Sequence, residues 1–204
     1  MEKISSKEKI LSEAGRLFAE KGFHGVGIRE ITAAAAVNSS AVSYYFGGKY
    51  GLYCAVIANV ASMLTSSLSS REIQRLSPYE IIKLYAETVK SIHCRYPYFV
   101  RLLYHELLLP TDVMGRFAAE TLQPVVSILR HALETGKKNG IFKADLDTDK
   151  AIMMLAGAIN FYYLARPIHQ SVIEQDEVFS EQYIETVLAI FFQGISRRER
   201  YEEI

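Results

Sequence analysis

Apolar residues recur three or four positions apart along most of the chain, the spacing that places them on one face of an α-helix. The first segment carries this pattern at Ile10, Ala14, Leu17 and Phe18, and a later one carries it at Leu52, Val56, Val60 and Leu64. The alternation of apolar and polar residues that is typical of β-strands persists nowhere in the sequence,. The pattern therefore predicts an all-α fold.

Capping residues indicate where several helices begin and end. Ser5 and Glu8 have capping-box spacing, in which each side chain accepts a hydrogen bond from the other residue's backbone N–H,. Gly22 suits a helix C-terminus because glycine tolerates a positive φ. We expect Pro124 to kink or divide its segment, and the stretch 65–77 to be a linker,. The predicted helices are Ser6–Lys21, Ile28–Ala35, Ser39–Phe46, Lys49–Ser66, Pro78–Arg95, Pro97–Leu108, Asp112–Lys138, Thr148–Ala165 and Ser180–Arg198.

Two short helices with a tight turn between them stand out near the N-terminus. Ala36 and Val37 would form the turn, and Asn38 is suited to cap the helix that follows,. This helix combines small polar side chains with apolar anchors, as an element that enters the DNA major groove requires. The candidate anchors are Ala35, Val37, Val42 and Phe46, and the candidate groove contacts are Ser39, Ser40, Ala41, Ser43 and Tyr44.

Groups suited to DNA phosphates flank this short helix. Tyr44 and Tyr45 can donate hydroxyl hydrogen bonds, Lys49 can supply a charge at the start of the next helix, and Arg29 lies in the first turn of the preceding one,. Ordinary packing of a short helix is the alternative that spacing alone leaves open.

Charge and cysteine content narrow the class of protein. The formal net charge is zero, and residues 1–53 carry seven basic and five acidic side chains. Bulk charge therefore contributes little, and DNA binding must depend on local geometry and on two copies of the site. Cys54 and Cys94 are too few to frame disulfides, so the reducing cytosol is the expected location,. The apolar run 151–165 is too short to span a bilayer, and no membrane association is expected,.

A longer pattern extends through residues 18–52. It begins with Phe18-Ala-Glu-Lys-Gly22-Phe23 and continues, at fixed spacing, with Ile31, Ala35, Val37, Tyr45, Phe46, Lys49 and Leu52. The pattern resembles the DNA-binding domain of the TetR family of bacterial repressors. The resemblance implies an N-terminal three-helix helix-turn-helix DNA-binding domain over 1–53 and a C-terminal helical ligand-binding and dimerisation domain over 54–204.

The departures from the family pattern bear on the DNA contacts. Ala36 stands where the family usually has a turn glycine, and Asn38 replaces the capping serine. Gly27 stands where a threonine or serine often caps the second helix and touches phosphate, which leaves its backbone N–H for that contact. A weaker similarity, which includes the segment from His105 to Thr111, is to the CecR-type branch, which is associated with drug-efflux or envelope genes.

The resemblance also implies partners for the rest of the chain. Family members dimerise through their last two long helices, so a homodimer on a pseudo-palindromic site in double-stranded DNA is expected. An intrachain core is the alternative for the same side chains. The expected interface residues are Ile152, Leu155, Ile159, Tyr162, Tyr183, Val187, Ile190 and Phe191. A small apolar or aromatic effector would contact Tyr85, His93, Phe99, Leu103, Tyr104 and Phe117, although apolar residues at this spacing are usually plain core,.

The sequence leaves two alternative classes of function. A helical protein–protein adaptor could keep this fold, but the joint presence of Tyr45, Phe46 and Lys49 favours DNA binding. An enzyme is a more distant alternative, because the pairs His93-Cys94 and His105-Glu106 consist of adjacent residues, which point in different directions on a helix,. We therefore expect no catalytic residues, metal or cofactor.

Overall fold

The structure is a computed structural model, and it describes residues 5–68, 71–172 and 177–197. The described residues are mainly helical. Their β-structure is limited to an isolated antiparallel bridge between Phe142 and Ser196. The helices are α1 (Ser6–Lys21), α2 (Ile28–Ala34), α3 (Ser40–Phe46), α4 (Lys49–Leu68), α5 (Pro78–Arg95), α6 (Phe99–Leu108), α7 (Asp112–Phe117), α8 (Gln123–Lys138), α9 (Thr148–Val172) and α10 (Glu177–Ile195). The predicted all-α fold is confirmed.

The predicted limits of α1 are confirmed, because its capping groups form. The Ser5 N–H donates to the Glu8 carboxylate at 2.9 Å, and the Glu8 N–H donates to the Ser5 hydroxyl at 3.2 Å. At the other end Gly22 has φ +71° and donates its N–H to the Phe18 carbonyl at 2.9 Å. Local hydrogen bonds thus fix both ends of this helix.

The helix limits near the prolines and the secondary structure of the expected linker differ from the prediction. The predicted segment Asp112–Lys138 is interrupted by a π-helical turn, Ala118–Leu122, just before Pro124, and this break in the regular hydrogen-bond ladder accommodates the N–H that proline lacks,. A 3₁₀ turn, Arg71–Arg75, lies within the expected linker. The expected end of α9 before Pro167 is wrong, since the helix continues to Val172. A proline removes one hydrogen bond of a helix, which the turns on both sides can tolerate.

The chain packs into two units, Met1–Leu64 with Ile92–Leu122, and Thr65–Ser91 with Gln123–Ile204. In the first unit α1 contacts α2, α3 and α6 around a core that contains Phe18, whose ring meets the Tyr53 ring edge-on with centroids 5.0 Å apart. A Cβ at Gly15 would lie 2.4 Å from the Tyr98 ring, so any larger residue in this position of α1 requires that ring to move. The predicted boundary at 53/54 lies inside α4, and the domain assignment stays a prediction.

In the second unit α9 packs against α8 and α10. The Tyr162 and Tyr183 rings stack with centroids 4.2 Å apart, and the Tyr183 hydroxyl donates to the Ala158 carbonyl at 2.9 Å. Four of the expected interface residues are buried in this packing and form the core of their own chain: Ile152, Leu155, Ile159 and Tyr162. This burial favours the intrachain alternative for these four residues, and their assignment as dimer contacts stays a prediction.

A different face of α9 is exposed. The relative exposures of Met153, Met154 and Phe161 are 76%, 71% and 54%, and that of Ile190 on α10 is 66%. Of the remaining expected interface residues, Tyr183, Val187 and Phe191 are half-buried. We call Met153, Met154, Phe161 and Ile190 the apolar face of the second unit.

Helix α4 is long and apolar enough to cross a membrane, judged by length and composition alone. The core helix of a globular domain can satisfy the same two criteria. Leu52, Tyr53, Val56 and Val60 of α4 are buried in the hydrophobic core of the first unit.

Candidate DNA-binding surface

The turn between α2 and α3 contains a backbone conformation that L-amino acids rarely adopt. Ala36 has φ +52°, and it is the single residue other than glycine with a positive φ among the described residues. The hydrogen bond from the Val37 N–H to the Thr32 carbonyl, at 3.0 Å, holds the chain in this turn. A Cβ in the left-handed region costs about 1–2 kcal/mol, so the alanine stores strain in this turn.

We expect Ala36→Gly to raise the free energy of unfolding by about 1 kcal/mol, because the strain is relieved at an exposed position with no packing to lose,. Urea denaturation of the two proteins measures the difference. Ala33→Gly, at an exposed position within α2, is the matched control and should destabilise by a similar amount,. Equal destabilisation by both changes would contradict the strain at Ala36.

Helix α3 is held by its apolar side. Val42 is fully buried and Ala35 nearly so, while Val37 and Phe46 pack against the same core from partly buried positions. The four predicted anchors are thus confirmed as the residues that attach the helix-turn-helix to the rest of the first unit.

The opposite side of α3 faces solvent. Ser39, Ser40, Ser43 and Tyr44 are exposed, with 83% of the Tyr44 side chain accessible, and Ala41 is half-buried. The Tyr44 and Tyr45 rings meet edge-on with centroids 4.9 Å apart. The structure therefore brings Ser39, Ser40, Ser43 and Tyr44 together on one accessible surface, whereas Ala41 packs partly against the core.

Asn38 caps this helix, as predicted. Its side-chain oxygen, Oδ1, accepts a hydrogen bond from the Ser40 N–H at 2.9 Å, and its carbonyl accepts one from the Ala41 N–H at 3.0 Å. The regular helix begins at Ser40 and not at Ser39, as first expected. The side chain of Asn38 is thus committed to the helix start.

The predicted phosphate contacts lie around α3. Gly27 is exposed and caps α2 without a side-chain hydrogen bond of its own, and its backbone N–H donates to the Glu30 carboxylate. Arg29 is exposed in that turn. Lys49 begins α4 and is half-buried, and its Nζ lies 4.7 Å above the centre of the Phe23 ring. This cation–π contact holds the ammonium itself over the face of the Phe23 ring,.

Acidic charge near this surface is offset locally. Lys21 forms an ion pair with Glu30, and its hydrogen bond holds the pKa of the Glu30 carboxyl below the usual value. An ionised Glu30 paired in this way repels a phosphate less than a lone carboxylate would.

A buried carboxylate that sequence reasoning set aside lies in the same unit. Glu106 on α6 accepts hydrogen bonds from the Tyr53 hydroxyl, from the Thr111 N–H at 3.0 Å and from the Thr111 hydroxyl at 2.9 Å. Burial and the neighbouring Glu106 raise the pKa of Tyr53, which keeps its hydroxyl protonated. We call these three residues the Glu106 network. The sequence signal for this network is that Glu106 lies three positions after Leu103, a helical spacing that places an acidic residue on the apolar face of α6.

The six residues predicted to contact an effector are not gathered at one described cleft. Phe99 and Phe117 pack on each other in the core of the first unit, with ring centres 6.3 Å apart, and Leu103 packs against that core. Tyr104 is half-buried and His93 buried in that unit, whereas Tyr85 is buried in the second. Their role in ligand binding stays a prediction.

The second unit has a cleft of about 580 Å³ with mostly apolar walls. Its lining combines side chains from the 3₁₀ turn, the start of α5 and α8. Ile73, Leu76, Ile81 and Ile128 supply the apolar surface, and the polar groups come from Gln74, Ser127, His131 and Thr135. Volume and lining are those of sites that take small organic molecules.

Comparisons with known proteins agree with this architecture. The profile described as "Bacterial regulatory proteins, tetR family" matches residues 10–56, and the one described as "Tetracyclin repressor-like, C-terminal domain" matches residues 78–192. The chain is 28% identical to the HTH-type transcriptional regulator RutR of Escherichia coli over 199 residues, 96% of this chain and 93% of that protein. It is 25% identical to the HTH-type transcriptional repressor NicS of Pseudomonas putida over 175 residues, 84% and 82% of the two.

A solved structure extends the comparison to the whole fold. The ketosteroid transcriptional regulator KstR2 of Mycobacterium tuberculosis superposes with a TM-score of 0.78 and 17% identity, over 97% of this chain and 98% of that one. At this identity the similarity supports the fold alone.

The helix-turn-helix, its exposed recognition helix and the helical second unit define a ligand-responsive, DNA-binding transcriptional regulator. The chain belongs to the TetR family, whose C-terminal profile covers more than half of it. Regulators of this family bind DNA, typically as dimers, and respond to small-molecule effectors, and they are not enzymes. The CecR-type branch stays a prediction.

Proposed function

We propose that the protein is a homodimeric repressor that binds a pseudo-palindromic operator and is released from it by a small apolar or aromatic effector. The observation that carries the proposal is the exposed row of Ser39, Ser40, Ser43 and Tyr44 on a helix anchored by the buried Val42. Such a helix can enter the major groove without losing any packing in the protein.

The proposed DNA contacts divide into two kinds. Ser39, Ser40, Ala41, Ser43 and Tyr44 would face base edges, with Asn38 holding the helix start. The Gly27 N–H, Arg29, Tyr45 and Lys49 would contact phosphates on either side, and so set the register of the helix in the groove. The zero net charge of the chain makes these local contacts, doubled in a dimer, the main source of affinity,.

The proposed dimer forms through the apolar face of the second unit. Met153, Met154, Phe161 and Ile190 are exposed in the single chain. Packing two copies of this face against each other would bury these side chains. A two-fold axis through this interface would present two recognition helices to successive major grooves.

The proposed effector site is the cleft of the second unit. Its apolar walls suit a ring or an alkyl chain, and Ser127, His131 and Thr135 offer hydrogen bonds that orient one polar group,. An effector that binds better to the form of the dimer with mismatched recognition helices shifts the population away from the DNA-bound form. We place this action in the cytoplasm, where the DNA lies.

The adaptor alternative makes the opposite prediction about DNA. Footprinting of the DNA upstream of the protein's own gene should show protection of a pseudo-palindrome that weakens with salt. A complete lack of salt-sensitive protection at low ionic strength would reject the regulator in favour of the adaptor.

Lys49→Ala should weaken binding to all DNA sequences alike, on the order of tenfold, and should lower the salt slope by about two, one phosphate contact from each protomer. Titration of operator and unrelated DNA at several salt concentrations measures both effects. Lys83→Ala, which removes an exposed lysine from α5, is the matched control and should change neither. An unchanged salt slope for Lys49→Ala would reject its phosphate contact.

A further inference from the structure

Ser40 occupies the position of α3 from which bases are most directly read. It is the first residue of the helix, it is exposed, and the N-terminal residues of a recognition helix contact base edges,. Its hydroxyl can in principle both donate and accept a hydrogen bond, which would make it an unselective reader.

The hydrogen bonds of Asn38 remove this ambiguity. A backbone N–H can only donate, so the amide atom of Asn38 that lies 2.9 Å from the Ser40 N–H must be its oxygen,. The Ser40 Oγ lies 2.9 Å from the same oxygen. Because that oxygen can only accept, the Ser40 hydroxyl must donate its one proton to it.

The outward side of the Ser40 hydroxyl therefore offers lone pairs alone. Phosphate oxygens, guanine O6 and N7, and thymine O4 are all acceptors and cannot pair with it. The hydrogen-bond donors that bases present in the major groove are the amino groups of cytosine and adenine. Each base pair carries one such group, so the choice concerns which strand carries it.

We propose that Ser40 is an acceptor-only reader that selects cytosine or adenine, over guanine or thymine, on the strand it faces at one position of each half-site. The inference rests on the proposed DNA binding and adds the chemical class of base that one side chain recognises. Ser43 provides the contrast, because no hydrogen bond fixes its exposed hydroxyl within the part of the chain that the structure describes. Ser43 is free to donate or accept and should discriminate less.

Selection of bound sequences from an operator randomised in both half-sites tests the proposal. The wild type should prefer an amino-bearing base about tenfold at the position that Ser40 faces, and Ser40→Ala should lose this preference there and nowhere else. Asn38→Ala frees the hydroxyl proton and should extend the tolerated bases at that position to guanine and thymine. Ser43→Ala is the matched control and should leave the base preference at the position that Ser40 faces unchanged.

A base analogue then tests the amino group itself. Purine in place of adenine, or pyrimidin-2-one in place of cytosine, should weaken wild-type binding by about as much as Ser40→Ala does on the natural operator, and should not weaken the Ser40→Ala protein further. A preference for guanine or thymine at the Ser40-dependent position, or unchanged preferences in Ser40→Ala, would overturn the inference while DNA binding stands. If the wild type binds no DNA, both the proposed function and this inference fail.

Discussion

Replacement of Glu106 by alanine is expected to lower the free energy of unfolding by about 3 kcal/mol or more. The carboxylate is buried, and it is the acceptor for the Tyr53 hydroxyl on α4 and for both donors of Thr111. Its removal leaves the Tyr53 hydroxyl and the Thr111 N–H without this partner in the interior, and each such group costs about 1–3 kcal/mol. Urea denaturation measures the loss.

Two variants separate the hydrogen bonds from the packing. Glu185→Ala removes an exposed glutamate from α10 and should change stability by less than about 0.5 kcal/mol,. Combining Tyr53→Phe with Glu106→Leu removes donor and acceptor together, and should cost less than the sum of the two single changes. Additive costs would show that Tyr53 and Glu106 are not coupled, and a neutral Glu106→Ala would show that the network contributes nothing to stability.

The raised pKa of Tyr53 gives the network a pH dependence. The folded pKa lies above the value of about 10 in the unfolded chain, so the stabilisation is fully present below that pH and is lost as the pH rises through the folded value,. The expected stability is therefore unaffected by this group at neutral pH and falls in strong alkali, and Tyr53→Phe should flatten that part of the curve.

Local signals in the sequence were enough for the first three helices. The Ser5–Glu8 capping box and Gly22 define α1 through hydrogen bonds between near neighbours, and such bonds can be inferred from spacing. Asn38 was identified for the same reason. Ala36 was recognised as a departure from the family, but its φ of +52° belongs to the folded turn and could not be inferred from residue identity.

Contacts between distant residues could not be inferred in this way. The Glu106–Tyr53 hydrogen bond joins residues 53 positions apart, and the local sequence around either residue does not indicate its partner. Along α9 the difficulty is different, because apolar residues surround the helix. Ile152 and Leu155 on one face are buried, Met153 and Met154 beside them are exposed, and periodicity cannot tell which face the chain covers,.

The exposed face of α9 leads to the second large effect. Phe161→Glu is expected to convert the dimer to a monomer at micromolar concentration and to weaken operator binding on the order of a hundredfold, because one recognition helix no longer brings the other to the DNA. Phe161 has 54% of its side chain accessible in the single chain, so the glutamate is solvated in a monomer but would be buried without a partner in the proposed interface,. Sedimentation equilibrium and operator titration measure the two losses.

The matched control carries the same change in the other unit. Leu108→Glu on α6 replaces a leucine that is 77% exposed and lies outside the apolar face, so it should leave both dimerisation and DNA affinity as they are. Met154→Glu, about two helical turns from Phe161 on α9, should reproduce the Phe161 result, since both side chains belong to the proposed interface,. A Phe161→Glu protein that stays dimeric with wild-type affinity would move the interface away from this face. If both variants are monomers with normal helix content and weakened operator binding, DNA affinity depends on the pairing of two recognition helices. This dependence would explain how a chain of zero net charge binds its operator,.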